Sequence, residues 1–244
     1  MNIQNKKIEN IFCKYFYPTN NIEKIVIAVH GFAGDKDSSV IEAIANKLNQ
    51  NTLVVTFDLP CHGEDNTNSV LQLNQCLHYL DVVISSVKKE YKDKEISIFA
   101  TSFGAFLTLN YLKNSIYTFN HIILRAPAIF MDKVLVNSIL RDRKLSYSEL
   151  IDHEADLGIN KKIMVDKKFL QDLKNNNLSS YQFKTHIDII QGDQDDIVDV
   201  KENENYYKSN FISYNLYYIK GADHRFKKAG ELEQILDIVT KIIK

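Results

Sequence analysis

Short apolar runs alternate along this chain with longer stretches in which apolar residues recur every three or four positions. The runs fall at residues 25–29, 53–57, 96–100, 121–124, 186–190 and 215–219. Segments that short and that apolar suit strands buried on both faces of a sheet. Between them, Val40, Ile41, Ile44, Ala45 and Leu48 predict a helix over 38–49. Leu71, Leu77, Leu80, Val83 and Val87 predict a longer one over 70–91. A helix through Leu107 and Leu112 follows the third run, and Leu232, Ile235, Leu236 and Ile238 mark a terminal helix. Strands alternating with helices predict a mostly parallel central sheet with helices on both faces.

The rhythm breaks after Leu124. Roughly sixty residues separate that strand from the next, where about 2–6 are usual. The insert has apolar patterns of its own, at Val134, Leu135 and Val136 and at Phe169, Leu170 and Leu173, so it reads as an ordered cap. The expected organisation is a core of residues 1–126 and 184–244 with a cap or lid over 127–183. A chain of 244 residues is long enough for one substantial core without a second domain.

Chemistry-bearing residues gather where the runs end. Ala100-Thr101-Ser102-Phe103-Gly104 follows an apolar strand and opens a helical pattern. A serine hydroxyl is a poor nucleophile unless a tight turn holds it near a base and near oxyanion donors. A serine opening a helix as its N-cap is the other reading of those five residues. Gly192-Asp193-Gln194-Asp195-Asp196-Ile197-Val198 follows a later strand, and Gly221-Ala222-Asp223-His224-Arg225-Phe226 follows the last one. The acidic loop fails the pattern of a calcium-binding loop, because Ile197 stands fifth and no glycine stands sixth. A solvated acidic turn remains the alternative for it.

In motif content and motif order the chain resembles the α/β-hydrolases along nearly its whole length. Ser102 matches the nucleophile of a G-x-S-x-G elbow in which Ala100 replaces the first glycine. Asp195 matches the acid of a G-x-x-D-x-x-V loop, with Asp193 and Asp196 as competitors, and His224 matches the base of a G-x-x-H-x-F loop. The chain order Ser, acid, His is the one this fold uses. His30-Gly31-Phe32-Ala33-Gly34 resembles the H-G-x-x-G oxyanion loop, which would pair the backbone amides of Phe32 and Phe103 around a developing oxyanion. In that reading His30 is structural. Asp58-Leu59-Pro60-Cys61-His62-Gly63-Glu64 resembles the segment D-x-x-G-H-G-x-S that shapes the rim of the site, with Cys61 in place of glycine and Asp65 in place of serine. Asp58, His62 and Glu64 as metal ligands is a weaker reading of the same residues.

The resemblance is greatest to small bacterial carboxylesterases of the cinnamoyl and feruloyl esterase kind, with serine aminopeptidases and monoacylglycerol lipases close behind. It implies hydrolysis of a carboxylic ester through an acyl-enzyme, with no cofactor and no metal. A peptidase or thioesterase would use the same residues, and Glu149 and Glu154 are then candidates to hold a substrate amine. A hydrolase-like protein that binds a small molecule without turnover is the reading from another class. Phe32, Phe103, Phe130 and Met131 suggest an apolar or aromatic pocket, although core packing accounts for such residues equally well.

Charge narrows the partners. Thirty Lys and Arg against 31 Asp and Glu give a net charge of -1, and the lysines are scattered, so no nucleic-acid footprint is expected. No apolar run reaches the length of about 20 residues that spans a bilayer. Three cysteines at these spacings suggest neither a disulfide framework nor a zinc site, and the N-terminus has no apolar signal region, so a cytoplasmic location is the expectation. Arg125 is the one oddity: it follows a strand where apolar residues are usual, and is a candidate to bind an anionic group of the substrate or to pair with an acidic loop.

Overall fold

A computed structural model of the chain describes residues 1–65, 70–141, 144–145, 155–159 and 162–244. The apolar runs become the strands β3 (Lys24–Val29), β4 (Thr52–Phe57), β5 (Glu95–Thr101), β6 (Ile122–Arg125), β9 (Phe183–Gly192) and β10 (Phe211–Ile219). They join an eight-stranded sheet of order β1-β2-β4-β3-β5-β6-β9-β10, in which β1 (Asn2–Ile8) and β2 (Ile11–Tyr17) form an N-terminal hairpin. Only β2 runs against its neighbours; every other pair is parallel. This is the α/β-hydrolase fold expected from the sequence.

Both faces of the sheet are covered, which is why its central strands are apolar at nearly every position. Ile25, Ile27 and Val29 of β3 point into the larger core, while Val26 and Ala28 point into the smaller one. The larger face is covered by α2 (Leu73–Glu90) and α3 (Phe103–Leu112). α2 lays Leu73, Cys76, Leu80, Val83, Ile84 and Val87 against the sheet. Each apolar side chain buried there contributes about 1.5–3 kcal/mol, more than intrinsic helix propensity can. The smaller face is covered by α1 (Ser39–Lys47) and the C-terminal helix Glu231–Ile243.

Between β6 and β9 the chain forms α4 (Met131–Val134), which continues as a π-helix over Leu135–Leu140, then a small antiparallel pair, β7 (Ala155–Asp156) with β8 (Met164–Val165). Next comes α5 (Lys167–Asn175), capped by Asp166, whose carboxylate accepts the Phe169 amide at 2.8 Å. Leu135, Leu140, Leu157, Val165, Phe169 and Leu173 are buried in the same core as α2 and α3. Met131 also lies in that core, and Phe130 packs edge-on against Tyr206. A further helix, α6 (Val200–Asn210), precedes β10. Among the described residues no helix is long and apolar enough to cross a membrane.

Candidate active site

Three loops at the C-terminal ends of parallel strands bring the candidate residues together, as open α/β sheets do with their ligand sites. Ser102 stands between β5 and α3 at φ 52° and ψ -113°. A non-glycine residue is rarely found there, and such strain costs on the order of 1–3 kcal/mol. Its surroundings hold it: the Ser102 amide donates to the Arg125 carbonyl at 2.9 Å, and its carbonyl accepts the amides of Ala105 and Phe106. Gly104 is required by close approach, since a β-carbon would sit 2.5 Å from the His30 carbonyl oxygen and 2.6 Å from that of Val29.

His224 Nε2 lies 2.9 Å from Ser102 Oγ, and its Nδ1 lies 2.8 and 3.0 Å from the two carboxylate oxygens of Asp195. The second contact places the ring proton on Nδ1, leaving the Nε2 lone pair toward the serine. Asp195 is wholly buried at its side chain. Burial alone would raise its pKa, but the hydrogen bond and charge of His224 and the amides of Val198 and Ile197 outweigh that and leave it below the usual carboxylate value. Gln191 Nε2 donates to the same carboxylate at 2.9 Å.

The neighbouring carboxylates have other tasks. Asp193 accepts the Gly221 amide at 2.5 Å and Asp196 accepts the His224 amide at 3.3 Å, so both fasten the histidine loop to the acid loop. Asp223 closes that loop on itself by accepting the amides of Arg225 and Phe226.

The loop carrying Phe32 is locked to the segment beginning at Asp58 by a reciprocal pair of histidines. His30 Nε2 accepts the Leu59 amide at 3.1 Å, and His62 Nε2 accepts the Ala33 amide at 3.2 Å. Each ring donates its Nδ1 proton to a carbonyl of its own loop, Gly31 or Pro60, at 2.8 Å. Burial pushes the His30 pKa down to about 4, so this ring is neutral. Asp58 accepts the amides of Lys36 and Glu64, both at 2.8 Å, and pairs with the buried Lys36 ammonium at 3.1 Å. Gly63, at φ +51°, passes so near this carboxylate that a β-carbon would fall 2.1 Å from it. The rings of Phe32 and Phe103 meet edge to face at 5.9 Å, and Phe103 meets Phe169 of the inserted segment at 6.2 Å. Among the described residues neither the Phe32 nor the Phe103 amide has a hydrogen-bond acceptor.

Arg125 does not stand open to a substrate, as a role in binding an anionic group requires. It is 6% exposed; its Nη2 donates to the Arg225 carbonyl at 2.8 Å and its guanidinium carbon lies 4.5 Å from the centre of the Phe226 ring. Cys13, Cys61 and Cys76 are buried thiols. Among the described residues no group of three or more His, Cys, Asp or Glu could hold a metal ion. A cavity of about 310 Å³ lies between the inserted segment and the acid loop, lined by Phe130, Ser138, Asp195 and Asn203 among others. Glu149 and Glu154 lie outside the described residues.

Two of the supporting residues escaped the sequence reading. Gln191 ends the apolar run of β9, and a lone polar residue there was its only signal. Lys36 gave none, because a lysine in a polar loop ordinarily faces water.

Similar proteins carry the same architecture. A family profile described as serine aminopeptidase, S33, matches residues 20–153. No curated protein sequence matches the chain. Among solved structures, Est1E from Butyrivibrio proteoclasticus with bound ferulic acid superposes with a TM-score of 0.80 at 20% identity, covering 98% of this chain and 96% of that one. A solved structure from Agrobacterium vitis S4 gives 0.75 at 16% identity with full coverage of both chains. A soluble variant of monoglyceride lipase from Saccharomyces cerevisiae, in complex with a substrate analogue, gives 0.75 at 13% identity, covering 99% and 94%.

Proposed function

Because the chain belongs to the hydrolase family described as serine aminopeptidase, S33, we propose that it is a serine hydrolase that cleaves carboxylic esters through Ser102, His224 and Asp195. The observation that carries this reading is the unbroken hydrogen-bonded chain from Ser102 Oγ through the His224 ring to Asp195. His224 Nε2 takes the hydroxyl proton as Ser102 Oγ attacks the ester carbonyl, and Asp195 stabilises the imidazolium that forms. The amides of Phe32 and Phe103 receive the oxyanion, each such donor lowering the barrier by about 2.7–4 kcal/mol. The tetrahedral intermediate collapses as His224 returns the proton to the departing alcohol. Water, deprotonated by the same nitrogen, then releases the acid from the serine.

Ester substrates are favoured over amides by two of the structural relatives, one solved with ferulic acid and one a monoglyceride lipase. Residues 127–183 act in this reading as a cap that shapes the acyl pocket, with Phe169 behind Phe103. The family description favours a second reading, release of an N-terminal amino acid from a peptide. Both are tested together by assaying the wild type and Ser102→Ala against p-nitrophenyl esters of rising acyl length and against amino-acid p-nitroanilides. The ester reading requires ester turnover that disappears with Ser102. Anilide turnover without ester turnover supports the peptidase, and no turnover of either overturns both.

A further inference from the structure

We propose that Arg125 is a positioning residue that sets the reach of His224 toward Ser102 by holding both of their loops at once. This rests on the reading of Ser102 and His224 as nucleophile and base. Two parts of Arg125 do two jobs. Its carbonyl accepts the Ser102 amide at 2.9 Å, fixing the backbone of the strained elbow. Its guanidinium donates to the Arg225 carbonyl at 2.8 Å, one residue beyond the base, and stacks on Phe226, two residues beyond it. The strand is held from both sides at this point: Arg125 pairs with Thr101 on one side and Ile190 on the other, and the next amide, Ala126, donates to the Ile190 carbonyl at 2.8 Å. A rigid strand end therefore connects the two loops whose relative position decides the 2.9 Å contact between Nε2 and Oγ.

Burying a cation at this position works against stability. Burial pushes its pKa down to about 10, with the charges of Asp195 and Asp223 acting in the opposite direction, and its Nε has no acceptor among the described residues. An apolar side chain would pack under the loop without that desolvation cost. What it would lack is the donor to the Arg225 carbonyl. The histidine loop holds itself through Asp223 and is fastened to the acid loop through Asp193 and Asp196, but those contacts join His224 to its acid. The guanidinium joins it to the strand that carries the nucleophile's anchor.

The test compares wild type, Arg125→Met and Arg125→Lys by steady-state kinetics on a neutral ester, p-nitrophenyl acetate, and by hydrogen–deuterium exchange. Misplacement of reacting groups by about 1 Å costs about 100-fold, so kcat of Arg125→Met is expected to fall about 10- to 100-fold with KM nearly unchanged. Exchange should quicken over residues 222–228 and stay at the wild-type rate over residues 30–37. Arg125→Lys, which keeps a charged donor, should recover part of both. A wild-type kcat in Arg125→Met, a change in KM alone, or exchange quickened evenly over the chain overturns the proposal. Should Arg125→Met not fold, Phe226→Leu removes the stack and must quicken exchange over the same residues. If wild type turns over no ester, the catalytic reading fails, and the exchange pattern alone decides whether Arg125 anchors the loop.

Discussion

Gly104 and His30 touch so closely that no β-carbon fits between them: it would stand 2.5 Å from the His30 carbonyl oxygen. The contact joins the helix behind Ser102 to the loop that carries Phe32, and both sides are backbone, so neither yields cheaply. Gly104→Ala is expected to destabilise the protein by about 1–3 kcal/mol, the usual range for overpacking. For a chain this long that lowers the thermal midpoint by about 2–4 °C per kcal/mol. A midpoint equal to that of wild type in calorimetry contradicts the close approach.

Asp195, Asp193 and Asp196 differ in what they accept, and their substitution should separate them. In Asp195→Asn an amide faces His224 Nδ1 and the ring is driven to the wrong tautomer, so kcat should fall about 10³- to 10⁴-fold. Asp193→Asn and Asp196→Asn keep an oxygen for the Gly221 and His224 amides and should cost less than about tenfold each. Ester kinetics on the three variants decide; equal losses would contradict the assignment of Asp195.

The buried His30 ring makes stability depend on pH. Its pKa falls from the usual 6.5 to about 4 on folding. Between those values the unfolded chain binds a proton that the folded chain does not. Its contribution is therefore complete above pH 6.5 and is lost as pH falls toward 4, by up to about 3 kcal/mol. Urea unfolding of wild type and His30→Gln from pH 5 to 7.5 isolates it, because the carboxylates titrate alike in both. The stability difference should shrink toward acid; a difference independent of pH contradicts a neutral buried ring.

Two lysines with equally short carboxylate contacts should behave in opposite ways. Lys36 and Lys47 each reach a glutamate at 2.6 Å, but the Lys36 side chain is 2% exposed and that of Lys47 38%. Lys36 also partners Asp58, whose side chain is wholly buried. Lys36→Met strands that charge and should cost about 3–5 kcal/mol. Lys47→Met, which removes only a solvent-screened surface pair, should leave stability close to that of wild type. Denaturant unfolding of both variants checks the contrast, which fails if the two losses are alike.

The central strands were legible because burial on both faces leaves few polar positions in them. The edges were not. β1 reads Asn-Ile-Gln-Asn-Lys-Lys-Ile and is largely exposed, so its pairing with β2 left no apolar alternation to find. α6 buries Asn203, Tyr206, Tyr207 and Asn210 at regular helical spacing, but two of the four are amides. Asn203 donates to the Pro127 carbonyl and Asn210 to those of Ser179 and Tyr181, needs that only the folded chain reveals. Helix ends fell one to three residues inside the periodic pattern, at Leu73 and Glu90 for α2.

At the site, Ser102 and His224 stood out because each follows an apolar strand in a recognisable loop. The choice among Asp193, Asp195 and Asp196 had only a resemblance to rest on, because a four-residue acidic loop does not say which carboxylate turns inward. Arg125 was conspicuous as a polar residue at a strand end. Its contact with the Arg225 carbonyl, 100 residues away in the chain, was beyond the reach of local pattern.

The central claim is that Ser102 is a nucleophile activated by His224. It is tested most directly by mass spectrometry of the protein treated with a fluorophosphonate, whose phosphorus bonds to the activated oxygen as fluoride leaves. Wild type should gain one adduct on the peptide that contains Ser102, Ser102→Ala none, and His224→Ala an adduct formed far more slowly. An unreactive wild type, or an adduct that persists in Ser102→Ala, would contradict the account.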